Sequence, residues 1–131
     1  MIIDTSAVVA ILKAEPQTQQ MVDRMLEEDS PRMSAASYLE TAIVVDRLGD
    51  PALSRRLDEV LVDLAVEIAD VTAAQARIAR QAYRDYGKGS GHQAGLNFGD
   101  CFSYALAVET REPLLFKGDD FGHTDVTSAL A

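Results

Sequence analysis

Met1-Ile2-Ile3-Asp4-Thr5-Ser6-Ala7-Val8-Val9-Ala10-Ile11-Leu12-Lys13 opens on a short apolar run, breaks at a carboxylate and two hydroxyl residues, and resumes as a second apolar stretch. The break predicts a strand over Met1–Ile3 and a helix from Ala7 to about Lys13, capped by Thr5 or Ser6. Asp4 is thereby left at the end of a buried element. Acids recur beside apolar runs at three more places. Glu40 sits within Ser37-Tyr38-Leu39-Glu40-Thr41-Ala42-Ile43, Asp100 follows Leu96-Asn97-Phe98-Gly99, and Asp119-Asp120 follow Leu114-Leu115-Phe116-Lys117-Gly118. A carboxylate at the edge of a core is costly unless its charge is compensated. If the fold gathers these acids, a divalent metal is the natural compensator, because carboxylates are the hard oxygen ligands that Mg²⁺ or Mn²⁺ prefers. Such a centre activates water and neutralises charge on a phosphodiester.

Outward from the first strand, the pattern alternates. Pro16 reads as the first turn of a second helix to about Glu28, with Met21, Met25, Val22 and Leu26 on its apolar side. Arg32-Met33-Ser34 is extended, and Ser34 or Ser37 caps a helix to about Leu48 that Gly49-Asp50-Pro51 ends. A fourth helix covers Ala52–Leu64, Val66-Glu67-Ile68 alternates as a strand does, and Asp70 or Thr72 caps a long helix to Tyr86. Lys88–Gly95, rich in glycine, reads as a mobile loop. Gly99 and Asp100 open a helix to about Thr110, Pro113–Phe116 is a strand, and Thr124–Leu130 has room for one last short strand. Strands separated by helices imply an α/β fold, with a parallel central sheet of four to five short strands and helices on both faces. Ligands of such sheets bind beyond the carboxyl ends of the strands.

The length of 131 residues predicts one domain over residues 1–131, and 47% hydrophobic residues supply a core. No apolar run approaches the roughly 18 residues that would span a bilayer. The N-terminus has no basic stretch before an apolar segment, which predicts no signal peptide and a cytoplasmic location. Cys101 is the only cysteine, so no internal disulfide forms; among apolar residues it reads as packing rather than as a nucleophile. A net charge of −9 argues against a nonspecific nucleic-acid binder and suits a basic partner protein. It leaves room for an enzyme that handles nucleic acid through a metal.

Taken in order, Ile2-Ile3-Asp4-Thr5-Ser6, Ser37-Tyr38-Leu39-Glu40, Leu96-Asn97-Phe98-Gly99-Asp100-Cys101 and Leu114-Leu115-Phe116-Lys117-Gly118-Asp119-Asp120-Phe121 resemble the PIN-domain family, most of all the VapC-type ribonuclease toxins of bacterial toxin–antitoxin pairs. Each motif alone is weak, but four in order over nearly the whole chain are specific. The resemblance implies a Mg²⁺- or Mn²⁺-dependent RNA endonuclease, inhibited by a cognate antitoxin and dimeric within the antitoxin complex. Asp4, Glu40 and Asp100 match the family's first three acids. Asp119 and Asp120 both offer the fourth, and adjacent side chains in an extended turn point to different sides, so one of them faces the metal. Asp4 and Asp100 are expected to bind the metal directly, and Glu40 and the fourth acid through water. Thr5 and Ser6 match the hydroxyl positions after the first acid, suited to capping or to holding a metal-bound water.

Arg77, Arg80, Arg84 and Lys88 fall on one helical face and make up a third of the twelve basic residues. They are candidates for a track along the RNA backbone, although a charged stripe by itself is more often a solvated face. His92 and His123 have no partners at zinc-ligand spacing. Two other readings are weaker. A phosphoryl-handling receiver or phosphatase would pair acids near Asp4, where Ser6 stands instead. A non-catalytic, partner-binding relative would have lost an acid, and none is lost.

Overall fold

A computed structural model describes residues 1–130. Its four short strands are β1 (Ile2–Ile3), β2 (Arg32–Ser34), β3 (Glu67–Ala69) and β4 (Leu114–Leu115). The helices are α1 (Thr5–Leu12), α2 (Thr18–Leu26), α3 (Ala35–Arg47), α4 (Pro51–Asp63), α5 (Ala73–Tyr86) and α6 (Asp100–Thr110). All strand pairs are parallel, in the order β3-β2-β1-β4. Ile2 lies opposite both Arg32 and Leu114, and Ile3 opposite Leu115.

Because side chains alternate across a strand, the two residues of β1 divide the core. Ile3, with Met33 and Leu115, packs against Val8, Met21, Met25, Val45, Leu57 and Leu61 of α1–α4. Ile2, with Leu114, packs against Ala79, Ala82, Ala105 and Leu106 of α5 and α6. Ile2, Ile3, Leu114 and Leu115 are fully buried, each contributing about 1.5–3 kcal/mol. The expected helices on both faces are therefore present. The chain leaves β1 toward β2 and β3 and later returns to place β4 on β1's other edge, so the order reverses at β1. In open α/β sheets, that reversal opens a crevice beyond the strand ends.

Several local expectations are corrected. Asp4, rather than Thr5 or Ser6, caps α1: its carboxylate accepts the Ser6 N–H at 3.0 Å, and the helix starts at Thr5. Both hydroxyls are engaged elsewhere. Pro16 lies before α2 rather than in its first turn, because Gln17 takes a left-handed conformation (φ 74°) and delays the helix to Thr18. Leu26 points outward and is 63% exposed, whereas Met21 and Met25 are buried. The Lys88–Gly95 segment is pinned at both ends: Lys88 N–H donates to the Leu96 carbonyl and Leu96 N–H to that of Tyr86, both at 2.8 Å. Ala94 and Leu96 are buried beneath it, and the His92 ring sits edge-on to Tyr86. Thr124–Leu130 contributes a single bridge, Leu114 to Ser128, instead of a strand. Ser34 and Thr72 cap α3 and α5, and Asp50 with Pro51 opens α4. Among the described residues, no helix is long and apolar enough to cross a membrane.

Candidate active site

Asp4 leaves the carboxyl end of β1 and is buried, 3% exposed. Burial of an anion requires donors, and three converge on it. Ser103 Oγ of α6 donates to Oδ1 at 2.6 Å; Ser6 Oγ and Ser6 N–H donate to Oδ2 at 2.7 and 3.0 Å. Ser37 Oγ of α3 stands 3.0 Å from Ser103 Oγ and extends the chain of hydroxyls. Glu40, one helical turn after Ser37, accepts from Thr5 Oγ1 at 2.7 Å. Thr41 Oγ1 lies 3.1 Å from Thr5 Oγ1 and 2.7 Å from the Ser37 carbonyl oxygen. Successive hydroxyl and acidic residues of α1 and α3 thus interlock on one side of the crevice.

Asp100 is the first residue of α6, one turn before Ser103. Its Oδ2 accepts the Asn97 N–H at 3.0 Å, while Asn97 Oδ1 accepts the Asp100 N–H at 2.8 Å. Burial pushes its carboxyl up to about 6; the Asn97 backbone bond opposes this, and the charges of Asp4, Asp120 and Glu40 reinforce it. Asp4, Thr5, Ser6, Glu15, Glu40, Asn97, Asp100 and Lys117 line one open cleft of about 370 Å³. The cleft thus unites three of the expected acids and both expected hydroxyls. Asp119 and Asp120 lie at its margin, exposed, and neither lines it. Of the two, Asp120 is the one whose charge acts on Asp100.

The family model of the PIN domain matches residues 1–126. The chain belongs to the PIN domain family. It is 56% identical to the VapC ribonuclease Mb0625 of Mycobacterium bovis, over 99% of this chain and 98% of that one. It is 50% identical to Ribonuclease VapC42 of Mycobacterium tuberculosis, over 98% of each. Among solved structures, a toxin–antitoxin complex from Klebsiella pneumoniae superposes with a TM-score of 0.74 at 14% identity, covering 99% of this chain and 97% of that one. Mycobacterium tuberculosis VapC20, a sarcin–ricin loop cleaving toxin, gives 0.73 at 16% identity over 96% and 95%. At such identities, these two show a shared fold.

The donor chemistry of this PIN cleft suits a hard divalent cation. Its acids supply oxygen alone, and they lie close enough for Asp4, Glu40 and Asp120 to resist ionisation of Asp100. Among the described residues, no three potential ligands converge tightly enough to hold one ion by themselves. Mg²⁺ needs only one or two carboxylates and keeps several waters, so the set fits water-completed coordination. Cys101 is outside the cleft, and burial followed by the charge of Asp100 pushes its thiol up to about 11, which makes it a poor nucleophile.

Several residues of the site stand outside the expected acids. Ser103 lies three positions after Asp100 on an otherwise apolar face of α6, and Ser37 three before Glu40 on a face of α3 shared with Thr41. That spacing from an acid was the available signal. Gly99 has a steric role: a Cβ there would lie 1.8 Å from Glu40 Oε2. Lys117 and Glu15 also line the cleft, paired at 2.6 Å, with Lys117 N–H donating to Ser6 Oγ at 3.0 Å.

Proposed function

We propose that the chain is a metal-dependent endoribonuclease, the toxin of a toxin–antitoxin pair. The observation that carries this is the meeting of Asp4, Glu40 and Asp100 in one cleft beyond the carboxyl end of β1. The VapC ribonucleases it resembles at 50–56% identity support the substrate class. Asp4 and Asp100 would hold Mg²⁺ or Mn²⁺, which when bound supplies a water of lowered pKa and neutralises charge on the phosphate. Ser103 and Ser6 hold Asp4 in a single orientation. Thr5 fixes one oxygen of Glu40, leaving Oε2 to orient the attacking water and receive its proton. Asp120, nearer electrostatically than Asp119, completes the acidic ring.

Arg77, Arg80, Arg84 and Lys88 are all exposed on α5 or just beyond it, and none is in an ion pair among the described residues. They are free to neutralise phosphates. Leu39 and Ile43, one turn apart and exposed on α3, offer an apolar stripe for an antitoxin segment. The test is cleavage of structured RNA by the purified protein with Mg²⁺ or Mn²⁺, beside EDTA and Asp4→Asn. Cleavage that needs both metal and Asp4 is expected. Cleavage surviving either control overturns the mechanism, and no cleavage of any RNA with either metal overturns the enzymatic reading.

A further inference from the structure

Two residues before Asp100, Phe98 is 76% exposed, which forfeits the burial that a phenylalanine ordinarily gains. Its ring meets Phe102 edge-on, with centroids 5.0 Å apart. The two border a groove of about 350 Å³ between α5 and α6, whose other lining includes Tyr83, Cys101, Arg80 and Arg84. Tyr83 is 43% exposed. An aromatic hollow rimmed by two guanidinium groups therefore opens beside the acidic cleft.

Two demands are combined here. Aromatic faces suit a planar ring, and unpaired arginines suit an anion attached to it. RNA presents both in each nucleotide, and stacking on exposed aromatics beside a basic track is how single strands are bound. A second copy of this chain fits less well, because pairing two such faces would bring together the unpaired positive charge of Arg77, Arg80, Arg84 and Lys88 from each. A polyanion instead neutralises them.

We propose that this groove seats one unpaired nucleobase adjoining the cleaved bond, stacked on Phe98 and Tyr83, with Arg80 and Arg84 on its flanking phosphates. The proposal rests on the ribonuclease reading and specifies how substrate reaches the acids: a base held two residues from Asp100 sets which phosphate enters the cleft. Duplex RNA, whose bases are stacked inward, is then excluded at this position.

The test uses the Asp4→Asn chain in EDTA, so that RNA stays intact. Fluorescence anisotropy would measure binding of a labelled single-stranded RNA and of the same strand carrying one abasic site at each position in turn. Phe98→Ala is expected to weaken binding of the intact strand about tenfold, and Phe98→Tyr to restore it. On the strand whose abasic site removes the seated base, Phe98→Ala should cost nothing further. Unchanged affinity in Phe98→Ala overturns the proposal, as does an equal loss on every abasic strand. A switch from dimer to monomer in gel filtration, with RNA affinity retained, would instead make the groove a self-association surface. The nuclease reading fails separately: if the wild-type chain with Mg²⁺ or Mn²⁺ cuts no RNA while the base-dependent binding persists, the groove stands and the catalysis does not.

Discussion

The two walls of the acidic cleft are built by different means. On one, Asp4, Thr5, Glu40 and Thr41 share a closed set of hydroxyl bonds with Ser6, Ser37 and Ser103, reaching across α1, α3 and α6. On the other, Asp100 is held by reciprocal bonds with Asn97, and Asp120 projects from an exposed turn. Asp4 is the more buried acid, yet it has three donors. Asp100 has one, and its carboxyl is pushed up to about 6 by burial and by neighbouring acids. The charge of Asp4 is balanced by fixed dipoles, whereas that of Asp100 is not. A preorganised acid beside an under-compensated one is an arrangement that suits a cation.

The largest effects should come from the two proposed ligands, Asp4 and Asp100, and should separate them. Asp4→Asn and Asp100→Asn should each lower RNA cleavage about 10³-fold, the several kcal/mol that metal catalysis supplies. Their melting temperatures without metal should move in opposite directions. Asp4→Asn sets an amide against donors that expect an anion and should lower it. Asp100→Asn removes an ill-compensated charge and should raise it. Melting curves that shift alike would erase the distinction. Next comes Gly99→Ala, whose methyl displaces the Glu40 carboxylate. It should cost about 10–100-fold in rate, as loss of a positioning contact does. Its stability should change by less than about 1 kcal/mol, since only the start of α6 is touched. A fully active Gly99→Ala would show that the position of Glu40 does not matter.

Smaller effects follow from single supports. Ser103→Ala leaves an oxygen of Asp4 short of its buried donor and should destabilise the fold by about 1–3 kcal/mol, with roughly a tenfold loss in rate. Asp120→Asn should lower the rate modestly and Asp119→Asn by less, because Asp120 is among the charges that raise Asp100 most. The reverse order in a cleavage assay would reassign the fourth acid.

How much of this was legible beforehand differs between the walls for a physical reason. A parallel sheet with helices on both faces was readable because Ile2-Ile3 and Leu114-Leu115 are short, wholly apolar and followed by polar breaks, whereas the strand order was not. Asp4, Glu40 and Asp100 were readable because an acid against apolar neighbours is conspicuous. Ser103 carries no such contrast in the sequence, and Ser37 and Gly99 read only as a cap candidate and a helix start, because their roles in the site appear only once α3 and α6 are side by side. The cap of α1 was misplaced for a related cause. Thr5 and Ser6 are competent caps, but Asp4 is an equally good one two residues before Ser6, and Glu40 claims the Thr5 hydroxyl through a contact that local propensity does not encode. The Lys88–Gly95 loop looked free by composition and is tied down by Leu96, a buried anchor at its far end.

The smallest predicted effect concerns pH and bears on the second wall alone. The folded carboxyl of Asp100 lies near 6, above its ordinary value of 3.8, so the native state holds this proton more tightly than the unfolded chain does. Its contribution to stability is fully present below the unfolded value and lost as pH rises through about 6. Glu112 stays outside this range: burial is outweighed by bonds from the N-terminal amine and Arg32, and its carboxyl is lowered. The informative quantity is the difference between wild type and Asp100→Asn. In EDTA, the melting temperature of wild type should fall relative to that variant between pH 5 and pH 7. With saturating Mg²⁺ the trend should reverse, because a cation binds the ionised carboxylate and stabilises the fold more as pH rises. A parallel pair of profiles, with and without Mg²⁺, would show that Asp100 neither carries the strain assigned to its wall nor meets the ion.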